Sequence, residues 1–316
     1  MGRPRVLLAW ELGAGFGHST KLARIGARLA AAGCEVVAAL PDLALAGPLH
    51  KAGIPVLPTP HLAPAPPVAQ RTSPRLTDSL IQAGLMGDSA VQQALAGWQR
   101  LLDEMQPHLL VLDYAPLATV AARGRAAIMQ SSVGYCLPPD HLDAFPRLHH
   151  IGPDGASDTA LLASLNQALG AADMAPIPRL GALFSGDDIF VGTFQLLDPY
   201  ADDRARPAEG PLLDEPLRPA RPDAAAIFAS LHPDVVERDH VHAALCELGP
   251  ALEIYAPRAP EALLAPLQAA GALVHTEPQR VADVLERSRL VIHQGNAGLA
   301  AEALAAGVPQ YALCWH

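Results

Sequence analysis

The 316-residue chain is poor in several features that would assign it to a functional class. Its four cysteines, Cys34, Cys136, Cys246 and Cys314, show neither the CxxC spacing of a metal site nor the density of a disulfide scaffold. They are therefore expected to stay reduced, with the cytoplasm as the default compartment. Lysine occurs only twice, at Lys21 and Lys51, and the formal net charge is −10. A chain this acidic lacks the basic face that binding a phosphate backbone requires, so nucleic acid is not expected as a partner. No apolar run approaches the roughly 20 residues of a membrane span. The stretch "RVLLAW" is also too short for the core of a signal peptide, and no internal repeat is apparent.

What remains is a globular composition, 50% hydrophobic and 17% charged, with length for about two domains. Arg5 to Leu12 reads as a buried strand, His18 to Ala32 as a helix, and "EVVAAL" as a second strand reached through Gly33. The alternation continues through the helical "LALAGPLHKAG", the strand "IPVLPTP", the helix "SAVQQALAGWQRLLDEMQ", the strand "HLLVLDY" ending at Asp113, the helix "LATVAARG" and the strand "AAIMQSS". His61 to Pro74 reads as a proline-rich loop. From Asp198 to Asp223, six prolines and alternating charges indicate an extended connector. The strand–helix alternation then resumes from "AAIFASL" to "VPQYALCW". The expectation is an α/β chain with Rossmann-like domains over residues 1–200 and 223–316, joined by a linker at 201–222.

Ligands of open parallel sheets bind beyond the carboxyl ends of the strands. Three such exits carry suggestive residues. "ELGAGFGH" follows the first strand, but its glycines at 13, 15 and 17 are spaced G-x-G-x-G, not the G-x-G-x-x-G of dinucleotide sites. The other reading is that the loop, with Gly15 and Gly17, presents His18. An imidazole can take a proton from a hydroxyl when a carboxylate fixes its tautomer, and Asp113 could supply that carboxylate. Against this stand a histidine merely starting a helix and an aspartate capping a helix or turn. "HQGNAGLAAEALAAG" is the third exit. Small residues from Gly295 through Asn296 and Ala297 to Gly298 lead into a helix whose free N–H groups can face an anion, and Glu302 one turn on could bind a sugar diol. Close helix packing would use the same small residues.

Together these residues resemble the nucleotide-sugar glycosyltransferases of the GT-B fold, family 1, and a bacterial branch of them. The resemblance rests on "GHSTKLARIGARLAAAGCEV", "GIPVLPTP", "PHLLVLDYAPLATVAARG" and "EPQRVADVLERSRLVIHQGNAGLAAEALAAGVP". It implies two Rossmann-like domains facing across a cleft, with His18 as general base and Asp113 orienting it. It also implies Gln279 beside the donor base and Glu302 on its ribose. The co-substrate would be a nucleotide diphosphate sugar, UDP or dTDP, used with a small-molecule acceptor and without a metal cofactor. Helix dipole and amides would neutralise the leaving diphosphate.

Three departures qualify the resemblance. The family's diphosphate-contacting histidine falls on Gln294, which can donate a hydrogen bond but cannot carry a positive charge, so phosphate stabilisation is expected either to be weaker or to come from His293, the residue before it. Thr276 stands where many relatives stack an aromatic on uracil. The chain ends at His316 where the family continues, so the second domain is expected to be incomplete, with an apolar surface that favours homo-oligomerisation. Acceptor contacts are expected from His61 to Pro74 and from Leu137 to Ile151. Two alternatives follow: a nucleotide-sugar hydrolase or epimerase on the same fold, and a catalytically weakened binding protein.

Overall fold

A computed structural model describes residues 2–62, 75–86, 89–149, 157–213 and 218–313. The chain divides into two units, 1–212 and 213–316. In the first, β1 (Arg5–Trp10), α1 (Phe16–Ala31), β2 (Glu35–Leu40), α2 (Gly47–Lys51) and β3 (Val56–Pro58) are followed by α3 (Leu76–Gln82) and α4 (Ser89–Met105). Then come β4 (Leu109–Asp113), α5 (Pro116–Ala122), β5 (Ala127–Ser132), α6 (Asp158–Ala171) and β6 (Asp188–Val191). The six strands form one parallel sheet in the order β3-β2-β1-β4-β5-β6.

Alternate residues of a strand point to opposite faces, and a parallel sheet flanked by helices buries both. On β1, Leu7 and Ala9 join one core cluster with Val91, Leu95 and Trp98 of α4. Val6, Leu8 and Trp10 join the other with Leu22 of α1 and Leu49 of α2. Each fully buried Leu, Ile or Val contributes about 1.5–3 kcal/mol. The same parity places Leu110 and Leu112 of β4 on the first face and Val111 on the second. Trp10 and Asp113 are register partners at the carboxyl ends of β1 and β4.

The helix expected from His18 begins at Phe16, because Gly15, with φ 92°, turns the chain directly into it. Gly17 thus lies inside α1 and not in the preceding loop. The expected helix "LALAGPLHKAG" is split into a 3-10 turn, Leu43–Leu45, and α2. Asp42 caps that turn by accepting from the Ala44 N–H at 2.9 Å. The helices α3 and α6 lie outside the expected alternation. α6 starts at Ser157, whose hydroxyl accepts from the Ala160 N–H, and buries Leu161, Leu165, Ala168 and Leu169. Residues 63–74 and 150–156 are not among those described. The described part of the Leu137 to Ile151 segment is anchored, with Leu137 and Phe145 in the core.

The stretch from Asp198 begins packed, not extended. Tyr200 and Asp198 are buried, and Arg204 forms an ion pair with Asp198 and donates to the Leu137 carbonyl at 2.7 Å.

In the second unit, β7 (Ala226–Ser230), α7 (Pro233–Val236), α8 (Asp239–Leu248), β8 (Leu252–Tyr255), α9 (Glu261–Ala269) and β9 (Leu273–His275) come first. They precede α10 (Val281–Arg287), β10 (Ser288–His293), α11 (Ala297–Ala305) and β11 (Gln310–Ala312). This sheet is also parallel, in the order β11-β10-β7-β8-β9. In both sheets the strand order reverses beside the unit's first strand, between β1 and β4 and between β7 and β10. Such a reversal leaves a crevice at the carboxyl ends, the place where ligands of open α/β sheets bind. No helix among the described residues is long and apolar enough to cross a membrane.

Candidate active site

The reversal in the first sheet holds His18 and Asp113. The His18 imidazole Nδ1 lies 2.8 Å from Asp113 Oδ2. Asp113 caps neither a helix nor a turn. Its other oxygen accepts from Lys21 Nζ at 2.6 Å and from Ser132 Oγ at 2.7 Å. The Asp113 carboxylate is fully buried, whereas the His18 and Lys21 side chains are 15% and 13% exposed. Burial is the largest influence on Asp113 and pushes its proton affinity up. The Lys21 ammonium, with the hydrogen bonds from Lys21 and His18, outweighs it and holds the carboxyl well below the usual carboxylate range.

Local structure explains why these groups meet. His18 occupies the first turn of α1, and Lys21 lies three residues on, on the same helical face. Trp10 belongs to the core cluster on the α1 side of β1 and stacks on the His18 ring with centroids 4.6 Å apart and 16° between planes. With Nδ1 against Asp113, Nε2 is the nitrogen left for chemistry, and it lies beside Gly13. A Cβ at Gly13 would come within 2.9 Å of Nε2, and the residue has φ +90°. Gly13 is therefore the glycine that makes room for the imidazole. A Cβ at Gly15 or Gly17 would meet nothing, although the φ of Gly15 still disfavours other residues.

Glu11 fixes the other end of the loop. Its carboxylate accepts from the N–H groups of Leu117 at 2.8 Å and Ala118 at 3.2 Å, at the start of α5, and from the Trp98 indole. Burial raises Glu11 to about 7 against these lowering contacts. Cys136 is buried nearby. Its thiol is pushed up to about 12, first by burial and then by the Asp113 charge. Lys21, Ser132, Glu11 and Gly13 were not singled out in the sequence as site residues. For Lys21 the i, i+3 spacing from His18 was the available signal; for Ser132 it was the end of a strand adjoining that of Asp113.

The reversal in the second sheet carries the "HQGNAG" residues. His293 ends β10 and is buried, with both ring nitrogens engaged inside the unit. Nδ1 accepts from the Gly295 N–H at 3.0 Å, which leaves Nε2 to donate to Gln310 Oε1 at 3.0 Å. Burial lowers the proton affinity of this imidazole. Gln294 Oε1 accepts from the backbone N–H of His232, after β7. Gly295 has φ +94°, and Asn296 is the N-cap of α11, with no side-chain cap bond. The N–H groups of Ala297, Gly298 and the residue after them open the helix and have no intrahelical acceptor. Glu302 is partly buried in the second turn. Gln279 lies in the segment between β9 and α10, and its amide donates to the Glu277 carbonyl at 3.0 Å. Among the described residues no cluster of three or more His, Cys, Asp or Glu is placed to hold a metal ion.

No protein-family model and no curated protein sequence matches the chain. Solved structures do. CalG4, the calicheamicin glycosyltransferase, superposes with a TM-score of 0.67 at 17% identity, covering 99% of this chain and 80% of that one. The glycotransferase of kitacinnamycin gives 0.63 at 19% identity, over 100% of this chain and 82% of that one. The spinosyn rhamnosyltransferase SpnG complexed with thymidine diphosphate gives 0.61 at 20%, over 98% and 80%. At these identities the likeness is one of fold: the chain has the two Rossmann-like α/β units of the GT-B glycosyltransferases.

Proposed function

We propose that the protein is a glycosyltransferase that moves a sugar from a nucleotide diphosphate sugar to an acceptor hydroxyl. His18 is the general base. Nδ1 is held by Asp113, so Nε2 takes the hydroxyl proton as the oxygen attacks the anomeric carbon. The carbon–oxygen bond to the diphosphate breaks as the new one forms, which inverts the anomeric configuration. The second unit supplies the donor site through the N–H groups opening α11, the Gln294 amide and Glu302. With Gln294 Oε1 committed to His232, its Nε2 is the group left to donate. A neutral amide and a helix N-terminus stabilise the departing diphosphate without a metal. The expected donor nucleotides are UDP and dTDP, and a thymidine diphosphate complex is known for a protein of this fold.

The observation that carries the reading is the 2.8 Å contact between His18 and buried Asp113 at the reversal of the first sheet. The test is turnover of UDP-, dTDP- and GDP-sugars with a panel of hydroxylated small molecules, following nucleotide release and glycoside formation, in the parent chain and His18→Ala. Glycoside formation lost in His18→Ala supports the proposal. Sugar released at an undiminished rate without acceptor supports a hydrolase. Tight binding without turnover by either chain supports a binding protein, a reading that Gln294, in place of a cationic ligand, keeps in play.

A further inference from the structure

Asp113 has two cationic or potentially cationic neighbours, and elementary electrostatics says it needs one. A fully buried carboxylate is costly unless a counter-charge sits beside it. Were His18 the sole partner, the site would draw a proton onto the imidazole, and a protonated imidazole cannot act as a base. Here Lys21 Nζ lies 2.6 Å from Asp113 Oδ1, on the oxygen that His18 does not use. The Lys21 ammonium is a compact point charge, suited to one carboxylate oxygen in a way that a planar guanidinium is not. It is also one of two lysines in a chain whose other 20 Lys and Arg residues are arginines.

We infer that Lys21 is a positioning residue of the active site: it serves as the permanent counter-ion of Asp113, so that the carboxylate orients His18 without charging it. The inference rests on the reading of His18 as a base. Protonating His18 beside Lys21 would leave two cations on one carboxylate, at the N-terminal end of α1, where the helix dipole disfavours a further positive charge. The other titratable groups facing the cluster add no competing anion. The thiol of Cys136 and the phenol of Tyr114 are held neutral by burial, and Glu11 is turned toward Trp98 and the start of α5. Ser132 Oγ completes the carboxylate's shell without charge.

The test reads the imidazole directly in the 15N-labelled full-length chain by long-range proton–nitrogen correlation, with His18→Gln identifying the signal. In the parent chain at pH 7 the His18 ring is expected neutral, with its proton on Nδ1; an imidazolium there overturns the inference. In Lys21→Gln the ring becomes the sole counter-charge of the buried carboxylate, and its proton uptake is expected to move up by about one pH unit or more, tenfold in proton affinity. Lys21→Arg keeps the charge and is expected to move the titration much less. Superimposable titrations of the parent and Lys21→Gln overturn the inference. If Lys21→Gln fails to fold, the parent tautomer at pH 7 still decides. Nucleotide-sugar turnover separates the two claims. A shifted titration in a chain without transferase activity sinks the transferase reading and leaves the role of Lys21 intact. Transferase activity with an unshifted titration does the reverse.

Discussion

Glu11 makes the stability of the first unit depend on pH in an unusual direction. Its carboxyl is raised from 4.5 to about 7, chiefly by burial, although three N–H groups lower it. A carboxyl with a raised native value binds its proton more tightly folded than unfolded, so between these two values unfolding releases a proton. The stability it contributes is complete below pH 4.5 and lost as pH rises through 7. At 1.36 kcal/mol per unit, the loss between pH 5.5 and 7.5 is about 2 kcal/mol. Glu11 retains some solvent access, so that figure is an upper one. Glu11→Gln keeps the shape and one amide oxygen as acceptor but cannot ionise. Its stability relative to the parent should therefore improve by up to about 2 kcal/mol between pH 5.5 and 7.5. Urea unfolding at pH 5.5, 6.5 and 7.5, followed by tryptophan fluorescence, measures this. Trp98 donates to Glu11 and belongs to the unit in question. The comparison with the parent cancels the histidines that titrate in the same window. A stability difference that does not vary with pH would refute the reasoning, because the N–H donors would then fully compensate the buried charge.

The other expectations concern single groups. Gly13→Ala should cost activity at least tenfold while Gly17→Ala is nearly silent, since only the first places a Cβ 2.9 Å from His18 Nε2; steady-state kinetics with circular dichroism distinguishes this from misfolding. Arg204→Met should destabilise the first unit by about 3–5 kcal/mol in thermal or urea unfolding, because buried Asp198 is left unpaired; a loss under 1 kcal/mol would contradict it. His293 has a lowered native proton affinity relative to its ordinary 6.5. The second unit should therefore be stable above pH 6.5 and lose stability as the pH falls below it, a slope that His293→Asn removes.

Much of the fold was legible because both sheets are parallel and covered on both faces. Their strands read as short apolar runs, and the intervening helices read at a period near 3.6. β1, β2, β4 and β5 could be located within about two residues for that reason. α6 had its Ser157 cap and apolar stripe in the sequence, yet it stands outside the regular strand–helix alternation. Tyr200 and Asp198 were obscured differently. Prolines and charges around them imply an exposed connector, but a single arginine, Arg204, satisfies the aspartate and two carbonyls and lets the segment pack.

The candidate site divides along the same physical line. Strand exits announce His18, Asp113 and the α11 opening, because a residue at the carboxyl end of a parallel strand has few structural duties to explain it. What the exits do not announce is who shares their charges. His293 and Gln294 are adjacent in sequence and looked interchangeable as phosphate ligands. Strand parity sends His293 inward to Gly295 and Gln310, while Gln294 turns to the neighbouring loop at His232. Asp113 is the converse case. Its partners come from α1 and β5, and their convergence depends on β4 lying next to β1 and β5. A dyad can be guessed from two motifs. The third charge in it, Lys21, is signalled by its i, i+3 spacing from His18, but its place on the second oxygen of Asp113 follows only from the strand order. In the role proposed for it, that charge lets the carboxylate orient His18 without drawing a proton onto it.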